Sequence, residues 1–302
     1  PDGATCTNTL AYDGTADNNL RYVGANPCNY VTFNGETAGW RIVGIMNNVD
    51  DGAGNKETRI KLVRNEPLGN FSWDTSMPEG NYLDGHGEND WSSSVLMQEL
   101  NDDYLNTSLT GFRNWYNGRN EQKSGLYDTT MGLKSAAQKM IENAKWYLGG
   151  HDKTKSSFAA DFYRSEHGTN VIDNHSTEWI GKVALLYASD FAFAVGSSSR
   201  ATCLATNVSH YSPYFVSNDG TCAKNDWIFN MPNNPYFLTP ATNDSTIVYM
   251  LFPNSDDPSQ KAFGANQWLI SSPYAVYPAV YLKSSVAITG GNGTPENPYT
   301  LS

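Results

Sequence analysis

The four cysteines fall as two local pairs, Cys6 with Cys28 and Cys203 with Cys222, and no other feature of the sequence constrains the fold as much. Neither pair has the two-residue spacing of a zinc knuckle or a redox dithiol. Each therefore reads as a disulfide, and of the three connectivities open to four cysteines the local one needs the least rearrangement of the chain. Each bridge closes a loop of about 20 residues and stabilises by roughly 3 kcal/mol in the chain-entropy account. The competing reading is four reduced thiols in the core of a cytosolic protein. The disulfide reading places the chain outside the cell, at the cell surface.

Composition supports that placement. Charged residues make up 17% of the 302 residues, below the roughly 25% usual in soluble proteins, and Asn, Ser, Thr, Gly and Tyr carry the polar surface. With 31 acidic against 20 basic residues the formal charge is -11, a field that repels phosphate backbones and anionic lipid head groups. There is no basic run to track phosphates, so no nucleic-acid partner is expected. The 39% hydrophobic and 13% aromatic content suffices for a substantial core. No run of apolar residues is long enough to span a bilayer. The chain opens on Pro1-Asp2-Gly3-Ala4-Thr5, which is no signal peptide, so membrane attachment is expected only through an N-terminal segment absent from this sequence.

Along the chain, residues 1–39 are rich in Asn, Gly and Thr and read as an extended segment held by the first cysteine pair. Residues 40–302 read as a single α+β domain. Trp40 to Met46 and Thr58 to Arg64 are strand-like and flank a Gly- and Asn-containing loop, an antiparallel hairpin. Ser92, Ser93 and Ser94 offer N-cap hydroxyls to a helix over Val95 to Leu105, with Leu96, Leu100 and Tyr104 on one face. A second main helix is expected from Ser135, paired with Gln138 as a capping box, through Met140, Ile141, Ala144 and Leu148 to a Gly149-Gly150 cap. A short helix over Phe158 to Arg164 and a buried strand over Val183 to Tyr187 follow. Residues 205–277 read as a long loop region punctuated by short apolar runs such as Trp227-Ile228-Phe229, Tyr236-Phe237-Leu238 and Trp268-Leu269-Ile270. Ala279 to Leu282 is a last strand.

Several stretches carry a family resemblance in order along the chain. Tyr30-Val31-Thr32-Phe33-Asn34-Gly35, Trp40-Arg41-Ile42-Val43-Gly44-Ile45, Trp91-Ser92-Ser93-Ser94-Val95-Leu96, Trp146-Tyr147-Leu148-Gly149-Gly150, Leu186-Tyr187-Ala188-Ser189-Asp190 and Tyr281-Leu282-Lys283-Ser284 resemble the ectodomains of pilin-like surface proteins of gut Firmicutes, which carry a prepilin leader and helix. The C-terminal pattern is similar to C-type-lectin-like and formylglycine-enzyme-like folds. The resemblance implies a loop-rich fold with two main helices and paired terminal strands, Trp40 to Met46 beside Ala279 to Lys283. Where relatives read Val-Arg-Pro, this chain has Val276-Tyr277-Pro278, so any role of that arginine is absent.

Catalytic signatures are sparse. The five histidines show no helical zinc spacing, and there is no nucleophile elbow, phosphate loop or dinucleotide fingerprint. No catalytic residue, metal or cofactor is expected. Asp50, Asp51, Asn55 and Glu57 could ring a calcium ion but lack the alternation of an EF-hand loop. Loop tyrosines among small polar residues suit recognition, and the ligand contacts are expected at Tyr214, Tyr236, Asn243, Tyr274 and Tyr277. The expected function is a non-catalytic, surface-displayed adhesion or ligand-binding ectodomain, its partner a glycan or protein on another surface. Two alternatives stand beside it: a secreted carbohydrate-active hydrolase working through paired carboxylates, and a structural subunit that assembles with its own copies into a filament.

Overall fold

A computed structural model describes residues 5–7, 9–74, 87–106, 112–115, 125–128, 131–155, 157–196, 200–208, 220–253, 261–265 and 270–302. The strands are β1 Leu10–Tyr12, β2 Leu20–Tyr22, β3 Tyr30–Phe33, β4 Glu36–Asp50, β5 Lys56–Arg64, β6 Asn70–Phe71, β7 Phe112–Trp115, β8 Gly125–Asp128, β9 Ala144–Tyr147, β10 Glu178–Gly181, β11 Val183–Ala184, β12 Tyr236–Pro240, β13 Val248–Pro253, β14 Lys261–Gly264, β15 Tyr274–Ala275, β16 Ala279–Tyr281, β17 Ile288–Gly290 and β18 Thr300–Leu301. The helices are α1 Val95–Gln98, which runs on as a π-helical turn over Glu99–Tyr104, α2 Ser135–Met140, α3 Ala159–Glu166, α4 Ala188–Phe193, α5 Arg200–Leu204 and α6 Thr221–Lys224. The architecture is mixed α+β.

The framework is a seven-stranded antiparallel sheet in the order β1-β2-β4-β5-β16-β11. One edge of the long β4 is shared: β3 pairs with its first half and β2 with its second. The β3–β4 turn is made by Asn34 and Gly35, both at positive φ (59° and 74°), the signature of a two-residue type I′ hairpin. The expected hairpin of Trp40 to Met46 with Thr58 to Arg64 is β4 with β5. The Asp50 and Asp51 carboxylates brace its turn: Asp51 Oδ1 accepts from Ala53 N and Asn55 N, and Asp50 Oδ1 from Gly52 N. Glu57 pairs with Arg59.

Both expected disulfides, Cys6–Cys28 and Cys203–Cys222, are present and fit an extracellular protein. Among the described residues no helix is long and apolar enough to cross a membrane. Residues 10–33 are more than an extended tether, because they supply β1, β2 and β3 to the main sheet. The chain ends also meet. Tyr299 bridges in parallel to Val31 and exchanges backbone hydrogen bonds with Tyr30 and Thr32.

Other expectations need correction. Trp40 to Met46 does not lie beside Ala279 to Lys283: β16 pairs with β5 and β11, so β5 stands between the two, though all share one sheet. Of the two expected main helices, one forms over about its expected length and the other is cut short. The helix over Val95 to Tyr104 forms, with Ser94 Oγ accepting from Met97 N and with Leu96, Leu100 and Tyr104 wholly buried, but α2 stops at Met140. Ala144 and Trp146 are then buried alternately with Lys145 and Tyr147, a strand period, in β9 against β10. Ser135 makes no capping box, since Lys134 is the N-cap and Gln138 Nε2 donates to the Leu105 and Leu133 carbonyls. Gly149 is required for close approach, because a Cβ there would lie 2.2 Å from the Ser165 carbonyl oxygen. The region 205–277 is not all loop either: β12, β13 and β14 form a three-stranded sheet whose inner residues pack with Phe162, Phe191 and Tyr249 around Phe263. Trp227-Ile228-Phe229 is a turn, and Trp268 and Leu269 lie outside the described residues.

Candidate functional site

The sheet register builds the site. Arg21 on β2 stands opposite Gly44 on β4, Gly44 opposite Lys61 on β5, and Lys61 opposite Tyr281 on β16. Directly opposed residues point to the same face of a sheet, so two cations flank a glycine in one row. The glycine lets β2 approach β4 closely, since a Cβ there would sit 2.5 Å from the Leu20 carbonyl oxygen. The N-terminus of α4 presents Asp190 to this row. Its Oδ1 accepts from Arg21 Nη1 at 2.6 Å and its Oδ2 from Lys61 Nζ at 2.5 Å, while Oδ2 also accepts from Tyr187 N, fixing the helix start. Arg21 Nε donates in turn to Asp13 Oδ2 at 2.8 Å.

All four charged groups are buried, and their charges cancel pairwise. Burial alone would raise the Asp190 carboxyl, but Lys61 and Arg21 hold it below the ordinary value. Asp13 behaves alike beside Arg21. Burial draws the Lys61 amine down, with Asp190 opposing it. The rings of Tyr187, Trp146 and Tyr281 lie 4.5, 5.1 and 5.3 Å from Lys61 Nζ, a cation–π enclosure.

Above this floor opens a shallow cleft of about 40 Å³. One wall is a stack: His167 lies 4.1 Å from the Tyr163 ring and 4.2 Å from the Tyr147 ring, centroid to centroid. His167 Nδ1 donates to the Tyr163 carbonyl, and Nε2 faces Asp17 at 4.0 Å. Burial lowers the His167 pKa, so the ring is neutral at pH 7. The Tyr163 hydroxyl donates to Asp17 Oδ2, and Asn48 Nδ2 donates to Asp17 Oδ1. Asn47 and Lys145 complete the rim, Lys145 bridging to Glu178 and Asp50. The Tyr187 hydroxyl accepts from Tyr147 N and pins the stack to the floor.

Below, on the buried face of α3, lies Glu166. Its Oε1 accepts from Ser189 N and Thr239 Oγ1, and its Oε2 finds no hydrogen-bond partner. Burial raises this carboxyl to about 7.

The ligand residues expected from sequence are not gathered here. Tyr236 and Tyr277 are core: their hydroxyls donate to the Ser272 and Pro232 carbonyls, and their rings are 2% and 1% exposed. No ring face is left for a ligand. Tyr274 is half-buried against Tyr236, and Asn243 is exposed in the turn after β12. Tyr214 lies outside the described residues. The cleft residues were overlooked in the sequence although one signal marks the floor: Lys61 and Asp190 are lone charges inside apolar runs, Ile60-Lys61-Leu62-Val63 and Ala188-Ser189-Asp190-Phe191-Ala192. Among the described residues no group of histidine, cysteine or acidic side chains is arranged to hold a metal ion. Comparison with protein-family models, with curated proteins and with solved structures finds no match for this chain.

Proposed function

We propose that the chain is a surface-displayed, extracellular ligand-binding ectodomain of lectin-like build, and that the Tyr147–His167–Tyr163 cleft is where it binds an uncharged saccharide. One observation carries this reading: aromatic rings and asparagine side chains surround a floor whose charges are already satisfied by one another. Such a site offers stacking faces and paired donors and acceptors without a net charge to attract an ion. The two disulfides and the Asn- and Thr-rich surface support display outside the cell.

The carboxylate-pair hydrolase is served less well. A general acid must hold a proton near neutral pH; at the cleft Asp190 is held below the ordinary carboxylate range by two cations, and Glu166, which burial raises to about 7, does not line the cleft. The reading is tested by screening the purified protein against a panel of neutral and charged glycans. Saturable binding of a neutral glycan without turnover supports it; steady release of cleaved sugar would assign the chain to the hydrolases instead.

A further inference from the structure

Lys61 and Asp190 meet in a setting that ordinary ion pairs do not share. Nζ lies 2.5 Å from Oδ2, the two side chains are 1% and 2% exposed, and they come from positions 129 residues apart. Neither can swing out to water, because Lys61 is fixed between Gly44 and Tyr281 in the sheet and Asp190 is fixed at the start of α4. Three aromatic rings shield the amine. The buried Glu166 carboxyl, with its unpartnered oxygen, acts electrostatically on both groups.

We propose that Lys61 and Asp190 condense to an intramolecular amide, a covalent tie between β5 and α4. The chemistry balances without any co-reactant. The Nζ–Cγ bond forms and the Cγ–Oδ2 bond breaks. The ammonium gives up two of its three protons, both leave on Oδ2 as water, and no electrons change hands.

The site supplies what this step needs. Proton transfer along the Nζ–Oδ2 hydrogen bond yields the neutral amine and acid that react. In bulk water hydration of the two ions opposes condensation; burial removes that hydration, so a neutral amide replaces two desolvated charges. Fixing the partners in contact converts a bimolecular step into an intramolecular one. Arg21 Nη1, 2.6 Å from Oδ1, is placed to stabilise the negative oxygen of the tetrahedral intermediate and keeps Asp13 as counter-ion afterwards. Glu166 stands behind the pair, its Oε1 held by the N–H of Ser189, the neighbour of Asp190, and its Oε2 unpartnered; it relays protons and is returned unchanged. The departing water forms beside the Tyr187 N–H and leaves through the cleft, which reaches both Asp190 and Tyr187.

Intact-mass measurement of the denatured wild-type chain, with peptide mapping, tests this independently of the proposed binding function. Beyond the hydrogens lost to the two disulfides, the chain is expected to be lighter by one water, about 18 Da. Its digest is expected to contain a branched peptide joining the Lys61 and Asp190 segments. Lys61→Arg and Asp190→Ala are expected at full sequence mass, and Glu166→Gln with an uncondensed fraction. Linear Lys61 and Asp190 peptides from the wild type, or a water loss mapping elsewhere such as a succinimide at Asp51-Gly52, would overturn the proposal. Complete condensation in Glu166→Gln would overturn the relay role of Glu166.

Discussion

Glu166 makes the stability of this protein depend on pH in a direction opposite to that of most carboxylates. Its folded pKa is about 7 against an ordinary value of 4.5. Between those values the folded state holds a proton that the unfolded state has released, so the contribution of Glu166 is fully present below 4.5 and is lost as pH rises through 7. At about 1.4 kcal/mol per pH unit, that interval amounts to about 3 kcal/mol. Glu166→Gln keeps an oxygen for Ser189 N and Thr239 Oγ1 but cannot titrate. Urea denaturation of both proteins at several pH values from 4 to 8, disulfides intact, isolates the effect. The quantity read is the wild-type minus variant difference, from which other titrating groups and any constant offset drop out. That difference should fall by about 3 kcal/mol across the range and flatten above pH 7. Parallel stability profiles would show that Glu166 titrates normally, and that the pocket beneath α4 is wetter than its packing implies.

Two other substitutions probe the packing. Tyr236→Ala should cost about 3–5 kcal/mol, as for other large aromatic truncations in cores, because the ring packs between Trp73 and Tyr274; a urea midpoint within error of wild type would return Tyr236 to the surface. Gly44→Ala should cost about 1–3 kcal/mol through overpacking, since its Cβ would press β2 away from β4, and an unchanged melting temperature would contradict the sheet register.

What the sequence disclosed and what it hid differ by range of interaction. The β4–β5 hairpin and both disulfides were legible because each is closed by residues near in the chain. The segment from Met140 to Leu148 was misread because residues 140, 141, 144 and 148 match a helical period by coincidence, while Ala144-Lys145-Trp146-Tyr147 carries the true alternation. Loop tyrosines suggested recognition, yet their hydroxyls find backbone carbonyls, and Tyr236 and Tyr277 can be buried without an unpaired group. The cleft as an assembly was not legible. It depends on the register of β2, β4, β5 and β16, which sets Arg21 and Lys61 on either side of Gly44; no local pattern encodes that alignment. The lone charges inside apolar runs were the available hint, since a charge in such a run must find a partner on folding.

Calorimetric titration of the best-bound neutral glycan into cleft and loop variants tests the central claim most directly. Tyr147→Ala removes a stacking ring, and Asn48→Ala removes a rim amide, without touching the buried charges. Each should weaken binding about tenfold, corresponding to about 1.4 kcal/mol, while Asn243→Ala in the turn after β12 should leave affinity unchanged. Full affinity in both cleft variants with loss in Asn243→Ala would move the binding surface out of the cleft and contradict the account.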